Sequence, residues 1–306
     1  MTGAMTACLV ACATREGRAT IAVFNAGALA LPLRQALDSF ARRNNVEPRQ
    51  ENAGSVETVR KIVELGRIPD VVALADTALF STMMVGRLAS PVTVLGRTRL
   101  VLAYTGRSRY ADQVTTDNWM DLTTRDGVEV GRSDPSLDPA GYRALIAMRL
   151  AEAFYRRPGL AAALQQSAGP RNIRPKSADL IALLQTGNLD YAWEYESVAR
   201  RLGLRYIPLP PEVNLGDPLL ATHYATAETR IRMPGQARRT GRAGDRAATL
   251  VIRGAPIVFG IAVPQGAANP QAGRRFITYL MSPEGREIMR RAGLDGSTRG
   301  LPSDTR

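Results

Sequence analysis

Residues 51–76 read ENAGSVETVRKIVELGRIPDVVALAD, and they hold the unit from which an α/β fold is built. A turn of small residues ends at Ser55, a residue type that often caps a helix at its N-terminus. The apolar residues that follow recur at helical spacing: Val56, Val59, Ile62, Val63 and Leu65. Residues 70–75 then form a short, mostly apolar run. The stretch therefore predicts a helix capped by Ser55 and a buried strand after it.

The same alternation of short apolar runs and helical periodicity continues on both sides of this stretch. Before it, residues 20–24 and 46–51 are predicted strands, and a helix is predicted to open near Pro32. After it, we predict strands at residues 99–104, 189–195 and 256–264 and helices at 141–156, 177–186 and 271–292, the last split at Ser282-Pro283. Residues 208–217 are predicted to form a loop, and residues 230–254 an exposed hairpin or an irregular insertion. This order of elements indicates the α/β class.

Length and strand order together predict two lobes. The chain has 306 residues, about twice the usual size of a single domain. The strands RLVLAY (99–104) and PIVFGIAV (256–263) bracket the middle of the chain. We therefore expect residues 18–98 and 256–306 to form one lobe, residues 99–255 to form the other, and residues 1–17 to stand apart. Such an arrangement places a ligand cleft between the lobes, with the two crossovers as its hinge.

Composition and charge exclude several classes of protein. The hydrophobic content of 45% and the charged content of 22% are ordinary for a globular chain. No apolar run approaches the ~18 residues of a membrane-spanning helix. The net charge of +12 would suit an anionic partner, but the basic residues are scattered apart from one cluster between Arg232 and Arg253. We therefore expect no nucleic-acid partner.

Motifs for the common enzyme chemistries are missing from the sequence. It contains no GxGxxG fingerprint, no GxxxxGK[ST] phosphate loop and no GxSxG elbow. His223 is the only histidine, so neither a histidine metal cluster nor a Ser-His-Asp triad is expected. These absences favour a binding function over catalysis.

Three turns of small residues lie between a predicted strand and a predicted helix: residues 25–28 (NAGA), 53–55 (AGS) and 138–141 (DPAG). Helix N-termini present unpaired N–H groups and the positive end of the helix dipole, and small side chains let an anion approach them. Two interpretations remain open at this point. The turns form a site for a dehydrated oxyanion, or they serve only as turns and helix caps.

The order of the motifs resembles that of the tungstate/molybdate-binding proteins of ABC importers, in the branch first recognised in archaea. The similar segments are FNAGALALPL (24–33), residues 51–76, RLVLAYTGRSRYAD (99–112), SDPSLDPAGYRAL (133–145), LDYAWEYESVARRLGLRYIPLP (189–210), PIVFGIAVP (256–264) and FITYLMSPEGREIM (276–289). The resemblance extends over about residues 20–292 and is weak over residues 225–254. It implies a two-lobed periplasmic-binding-protein fold of type II, and a monomer that is not an enzyme and holds no cofactor.

The resemblance also implies the site and the partners. The oxyanion would lie between the lobes, bound by Ala28, Ser55, Asp138, Ala140, Ser177, Glu194 and Tyr195. In this scheme hydroxyl and N–H groups contact the oxygens, while Asp138 and Glu194 coordinate the molybdenum or tungsten centre. The family usually has Ser where this chain has Ala28, so only backbone N–H groups remain for the ligand there. The implied partner is the membrane subunit of an ABC permease, and the implied location is the periplasm or the outer face of the cell membrane.

Two carboxylates in an anion site have a specific physical meaning. Each repels a bound dianion, and burial strengthens that repulsion. Sulfate and phosphate have closed tetrahedral centres, whereas Mo(VI) and W(VI) can accept two more oxygens. Asp138 and Glu194 would therefore favour molybdate or tungstate over sulfate.

Other interpretations of the same residues stay open from the sequence. Asp138 could cap the helix that follows it, and Glu194 could sit in a surface ion pair. The protein could bind or sense another tetrahedral oxyanion of the sulfate type. It could also be an enzyme that uses the two acids as an acid/base pair.

The N-terminus carries a further motif. Residues 9–12 (LVAC) have the Leu-x-small-Cys form of a lipobox, in which Cys12 would be acylated. The preceding segment is apolar but short, and the first basic residue is Arg15. We expect a lipid anchor at Cys12, with an ordinary flexible N-terminus as the alternative. Cys8 and Cys12 are the only cysteines, so no disulfide framework is expected.

Overall fold

The computed structural model of the protein describes residues 18–233 and 248–294. Cys12 and the central part of the predicted insertion lie outside the described residues. Twelve strands occur in the described part: β1 Thr20–Ala26, β2 Glu47–Ala53, β3 Val71–Leu74, β4 Thr93–Arg97, β5 Leu100–Tyr104, β6 Val130–Ser133, β7 Ile173–Arg174, β8 Tyr191–Tyr195, β9 Arg205–Pro208, β10 Glu228–Met233, β11 Ala248–Arg253 and β12 Val258–Ala262.

The same residues form twelve α-helices: α1 Ala30–Asn44, α2 Ser55–Val63, α3 Ala78–Met83, α4 Trp119–Thr123, α5 Pro139–Phe154, α6 Leu160–Ser167, α7 Ala178–Thr186, α8 Glu196–Arg201, α9 Pro211–Asn214, α10 Ala221–Tyr224, α11 Pro270–Met281 and α12 Pro283–Arg291. In the ranges described, no helix has the length and hydropathy needed to cross a bilayer.

Ten of the twelve described strands assemble into two five-stranded sheets of the same design, and β10 and β11 form a separate two-stranded sheet. The first sheet has the order β2-β1-β3-β12-β4 and the second the order β7-β6-β8-β5-β9. In each sheet the first three strands of this order are parallel to one another. The fourth strand is antiparallel to both of its neighbours. The antiparallel strand next to the parallel set is β12 in the first sheet and β5 in the second. The chain enters β5 directly from β4 of the first sheet, and it enters β12 from the hairpin strand β11.

We call the first sheet with α1–α3, α11 and α12 the first lobe, and the second sheet with α4–α10 and the hairpin β10-β11 the second lobe, each with its connecting turns. The chain passes between them over residues 98–99 and 254–257. The expected lobe boundaries at 98/99 and 255/256 fall within these connections, and the exact division of the chain stays a prediction.

Burial explains why the central strands have continuous apolar sequences. Every residue of β3, β5, β8 and β12 is buried, as expected for strands covered on both faces. The lobes also pack directly on each other, because the Tyr195 ring lies edge-on to the Phe259 ring with 5.3 Å between centroids. Mixed α/β architecture is therefore confirmed.

Most of the predicted elements are present, with small shifts at their ends. The predicted split of the last helix is confirmed: the Ser282 hydroxyl accepts from the Gly285 N–H, and Pro283 opens α12. The insertion is a hairpin in its described part, formed by β10 and β11. The predicted loop at 208–217 is wrong in part, because it contains α9.

The predicted capping role of Ser55 is wrong. Gly54 occupies the N-cap position of α2, no side chain caps the helix, and Ser55 is its first residue. The Ser55 hydroxyl is instead engaged with the end of β3, since its oxygen accepts the Ala75 N–H at 2.9 Å. A long-range contact has replaced the local cap.

Candidate functional site

The predicted binding residues all lie where a strand ends and a helix begins. Ala28 follows β1, Ser55 follows β2, Asp138 and Ala140 follow β6, Ser177 follows β7, and Glu194 and Tyr195 close β8. In α/β sheets this edge is where ligands bind. All seven residues are buried, and Ser55, Glu194 and Tyr195 have no exposed surface. The fold therefore gathers these residues at the facing edges of the two lobes.

Asp138 is a buried acid that two backbone N–H groups compensate. Its Oδ1 accepts the Ala140 N–H at 3.2 Å, and its Oδ2 accepts the Ser177 N–H at 2.7 Å. Burial raises the pKa of the carboxyl group, and these two N–H donors oppose the rise. The capping interpretation of Asp138 is confirmed by the first of these bonds, and the second links α5 to the start of α7. The two N–H groups expected to bind a ligand are thus engaged by the Asp138 carboxylate.

Glu194 is a buried acid with far less compensation. Its Oε1 accepts the Tyr195 N–H at 2.7 Å, whereas its Oε2 is buried with no hydrogen-bond partner among the described residues. Burial, reinforced by the negative charge of Asp138, raises the pKa of Glu194 to about 8. The alternative of a surface ion pair is wrong. The raised pKa favours the protonated form of Glu194, and a bond from this carboxylate to a ligand would have to displace that proton.

The first lobe contributes a hydroxyl and a turn. Because the Ser55 oxygen accepts from Ala75, its own hydrogen remains available to a ligand. Ala28 lies in the turn Gly27–Leu29, and its carbonyl accepts a hydrogen bond from Arg201 Nη1 of the second lobe at 3.3 Å. The methyl side chain of Ala28 brings no donor to this turn.

Two cations, the buried Arg143 and the half-buried Arg201, also belong to the site, and sequence reasoning did not find them. Arg143, in α5, lies only 3% exposed beside Asp76 and Tyr195. Arg201 ends α8, and its positive charge opposes the rise in the pKa of Glu194. Arg143 follows LDPAGY and stands in a helix that is otherwise mostly apolar. Since buried arginines need partners, that context was an available signal.

A seam of close contacts holds the lobes together beside these residues. The Leu137 carbonyl accepts the N–H groups of Val56 and Glu57, both at 3.1 Å. Gly54 lies against the same carbonyl, so that a Cβ at position 54 would be 2.2 Å from the Leu137 oxygen. The backbone angles of Gly54, φ −64° and ψ 147°, are ones that any residue adopts. Glycine is therefore required here by the opposite lobe and not by its own conformation.

These contacts suit the binding of an anion. Hydroxyl, N–H and guanidinium donors surround two carboxyl groups. In the described part of the chain, no group of three or more His, Cys, Asp or Glu residues could hold a bare metal ion.

The seam predicts that Gly54→Ala keeps the lobes apart without disturbing either one. The methyl group would collide with Leu137 only in the closed arrangement, so we expect a larger radius of gyration and an unchanged far-UV circular dichroism spectrum. Small-angle scattering measures the first quantity. Gly106→Ala is the matched control, because a Cβ there meets nothing within 4 Å. A radius of gyration equal to that of the wild type would contradict this account of the seam.

Comparison with known proteins places the chain in a family. Residues 21–295 match the profile of the bacterial extracellular solute-binding proteins. An uncharacterized solute-binding protein of Petrotoga mobilis is 37% identical over 89% of this chain and 82% of its own length. The molybdate/tungstate-binding protein WtpA of Pyrococcus abyssi is 32% identical over 90% of this chain and 84% of its own.

A solved structure agrees on the fold. The sulfate-binding protein SubI of Mycobacterium tuberculosis superposes with a TM-score of 0.62 at 11% identity, over 90% of this chain and 86% of its own. The expected two-lobed, type II binding-protein fold is confirmed. The family consists of solute-binding proteins and not of enzymes, in agreement with the expectation of a binding function. The chain is a member of the bacterial extracellular solute-binding protein family.

Proposed function

We propose that this protein captures tungstate or molybdate outside the cytoplasm and delivers it to the membrane subunit of an ABC permease. The observation that carries the proposal is the pair of buried acids, Asp138 and Glu194. The other groups of the site are hydrogen-bond donors that suit an anion. The relative from Pyrococcus abyssi, named as a molybdate/tungstate-binding protein, supports the same ligand. The proposed location is the periplasm or the outer face of the membrane, with Cys12 as the lipid anchor of a monomer.

The two acids are difficult to reconcile with a simple tetrahedral oxyanion. At about 4 Å and an effective dielectric constant of about 20, each pair of like unit charges costs about 4 kcal/mol. A sulfate dianion would meet this repulsion at Asp138, and at Glu194 as well whenever that carboxyl group is ionised. Tungsten or molybdenum can instead accept one oxygen from each carboxylate, and the new bonds offset the repulsion. The acids therefore support a ligand whose central atom expands its coordination.

Binding by this route exchanges hydrogen-bond partners. The N–H groups of Ala140 and Ser177 now donate to Asp138. When oxyanion oxygens accept those N–H groups, the Asp138 carboxylate is released toward the metal centre. The hydroxyls of Ser55 and Tyr195 and the backbone N–H groups near Ala28 supply the remaining donors.

Lobe closure completes the site. Ser55 and Ala28 come from the first lobe, and the other five proposed ligand residues come from the second. A ligand held by both lobes stabilises the closed arrangement, and this gives a permease a surface that reports occupancy.

Replacing either carboxylate tests whether Asp138 and Glu194 coordinate the metal, because coordination and repulsion predict opposite changes in tungstate affinity. We expect Asp138→Asn and Glu194→Gln each to weaken tungstate binding by at least about tenfold, a loss of about 1.4 kcal/mol, because an amide oxygen is a weaker donor to the metal. Sulfate binding should tighten in Asp138→Asn, where a repulsive charge has gone, and stay about the same in Glu194→Gln, where the raised pKa already favours the uncharged carboxyl group. Isothermal titration with tungstate, molybdate, sulfate and phosphate measures all four affinities.

The exposed Asp112 provides the matched control, and Asp112→Asn should leave every affinity unchanged. Tighter tungstate binding in both site variants would overturn the coordination model. The second candidate function, a sulfate-type site held by Ser55, Tyr195 and backbone N–H groups, would then stand.

The protonation of Glu194 predicts a dependence of affinity on pH. Burial raises its pKa to about 8 in the ligand-free protein, and coordination requires the ionised form. Binding should therefore release a proton, so that tungstate affinity increases up to about tenfold per pH unit between about pH 6 and 8 and then levels off. Titration calorimetry in buffers of different ionisation enthalpy counts the protons released.

The increase should be absent in Glu194→Gln. A plain tetrahedral anion would instead draw a proton onto Glu194, because the dianion raises the pKa further. Affinity that stays nearly constant from pH 6 to 8 and decreases above pH 8 would therefore contradict metal coordination by this carboxylate.

A further inference from the structure

Arg143 has a place in the site that the proposed ligand set leaves unexplained. Its side chain begins in α5 of the second lobe and crosses to the first. There Nη1 donates to the Ala75 carbonyl at 2.6 Å, and Nη2 lies 3.1 Å from Asp76 Oδ2. Nη1 also donates to the Tyr195 hydroxyl oxygen at 3.0 Å. One buried guanidinium thus joins the end of β3 to a residue of the proposed ligand set.

The contact with Tyr195 has a direction. A guanidinium has donors and no acceptor, so the Tyr195 oxygen must be the acceptor of this bond. A phenol has a single hydrogen, and that hydrogen is then turned away from Arg143. It remains available to donate to an oxygen of a bound anion.

Tyr142 provides a contrast on the same helix. Its hydroxyl donates to Asp76 Oδ2 at 2.5 Å, so its hydrogen is already used. Asp76, from the first lobe, therefore holds two groups of the second lobe: the Tyr142 hydroxyl and the Arg143 guanidinium. Both contacts span the cleft between the two lobes.

We propose that Arg143 is a positioning residue, which orients the Tyr195 hydroxyl so that it donates to the bound oxyanion. Arg143 takes this position when lobe closure brings it against Ala75 and Asp76. This rests on the proposed function. Because Asp76 pairs with Arg143, the guanidinium does not act as a free counter-charge for the ligand. Its effect on affinity passes through the Tyr195 hydroxyl, and the fit of that donor depends on closure.

A double-mutant cycle between Arg143 and Tyr195 tests this. Arg143→Lys keeps the positive charge but lacks the planar fork that reaches three partners at once. We expect it to weaken anion binding at least about tenfold in the wild-type background and less than about twofold in the Tyr195→Phe background. A purely structural or electrostatic role would cost the same in both backgrounds, and that result would overturn the proposal.

A second substitution keeps the proposal testable if the Arg143→Lys variant does not fold. Asp76→Asn leaves the guanidinium in place but removes its ionic partner, and its cost should show the same dependence on the Tyr195 hydroxyl. Equal costs in both backgrounds would again overturn the proposal. Thermal unfolding and circular dichroism establish that each variant is folded.

The cycle is measured with both tungstate and sulfate. A wild-type protein that prefers sulfate would contradict the proposed function while the cycle with sulfate still decides the role of Arg143. Binding of neither anion by the wild type would overturn both.

Discussion

The burial of two carboxyl groups at one edge of the second sheet is the constraint on which the site depends. A charge removed from water needs donors or cations nearby, or it takes up a proton. Asp138 meets that need with two N–H groups from the starts of α5 and α7. Glu194 has one N–H bond and keeps an oxygen without a partner in the described chain, so burial raises its pKa. The two N–H groups that now compensate Asp138 are also the donors that we propose for the oxyanion.

The second requirement is that the two lobes meet closely enough to exclude water. Gly54 allows the Leu137 carbonyl to reach the start of α2, and Arg143 reaches across to Ala75 and Asp76. Neither Gly54 nor Arg143 is in the proposed ligand set. We nevertheless expect both to affect ligand affinity, because they hold the lobes in the arrangement that brings the proposed donors together.

Much of the fold could be predicted because strand and helix periods are local properties of the sequence. The site could be predicted only in part. The acids were identified through the resemblance to a family, although a glutamate inside the buried strand YAWEY is itself a signal. Ser55 was misassigned because its hydroxyl contacts Ala75, twenty residues away, and not its own helix. The role of Arg143 depends on partners 52 and 68 residues distant, and no local pattern specifies such a contact.

The central claim is that Asp138 and Glu194 each give an oxygen to the metal of the bound oxyanion. X-ray absorption at the tungsten L-edge, on protein loaded with one equivalent of tungstate, measures that coordination directly. The account predicts close to six oxygens around tungsten, with fewer in Asp138→Ala and in Glu194→Ala. A spectrum of tetrahedral tungstate with four oxygens, the same in the wild type and in both variants, would contradict it.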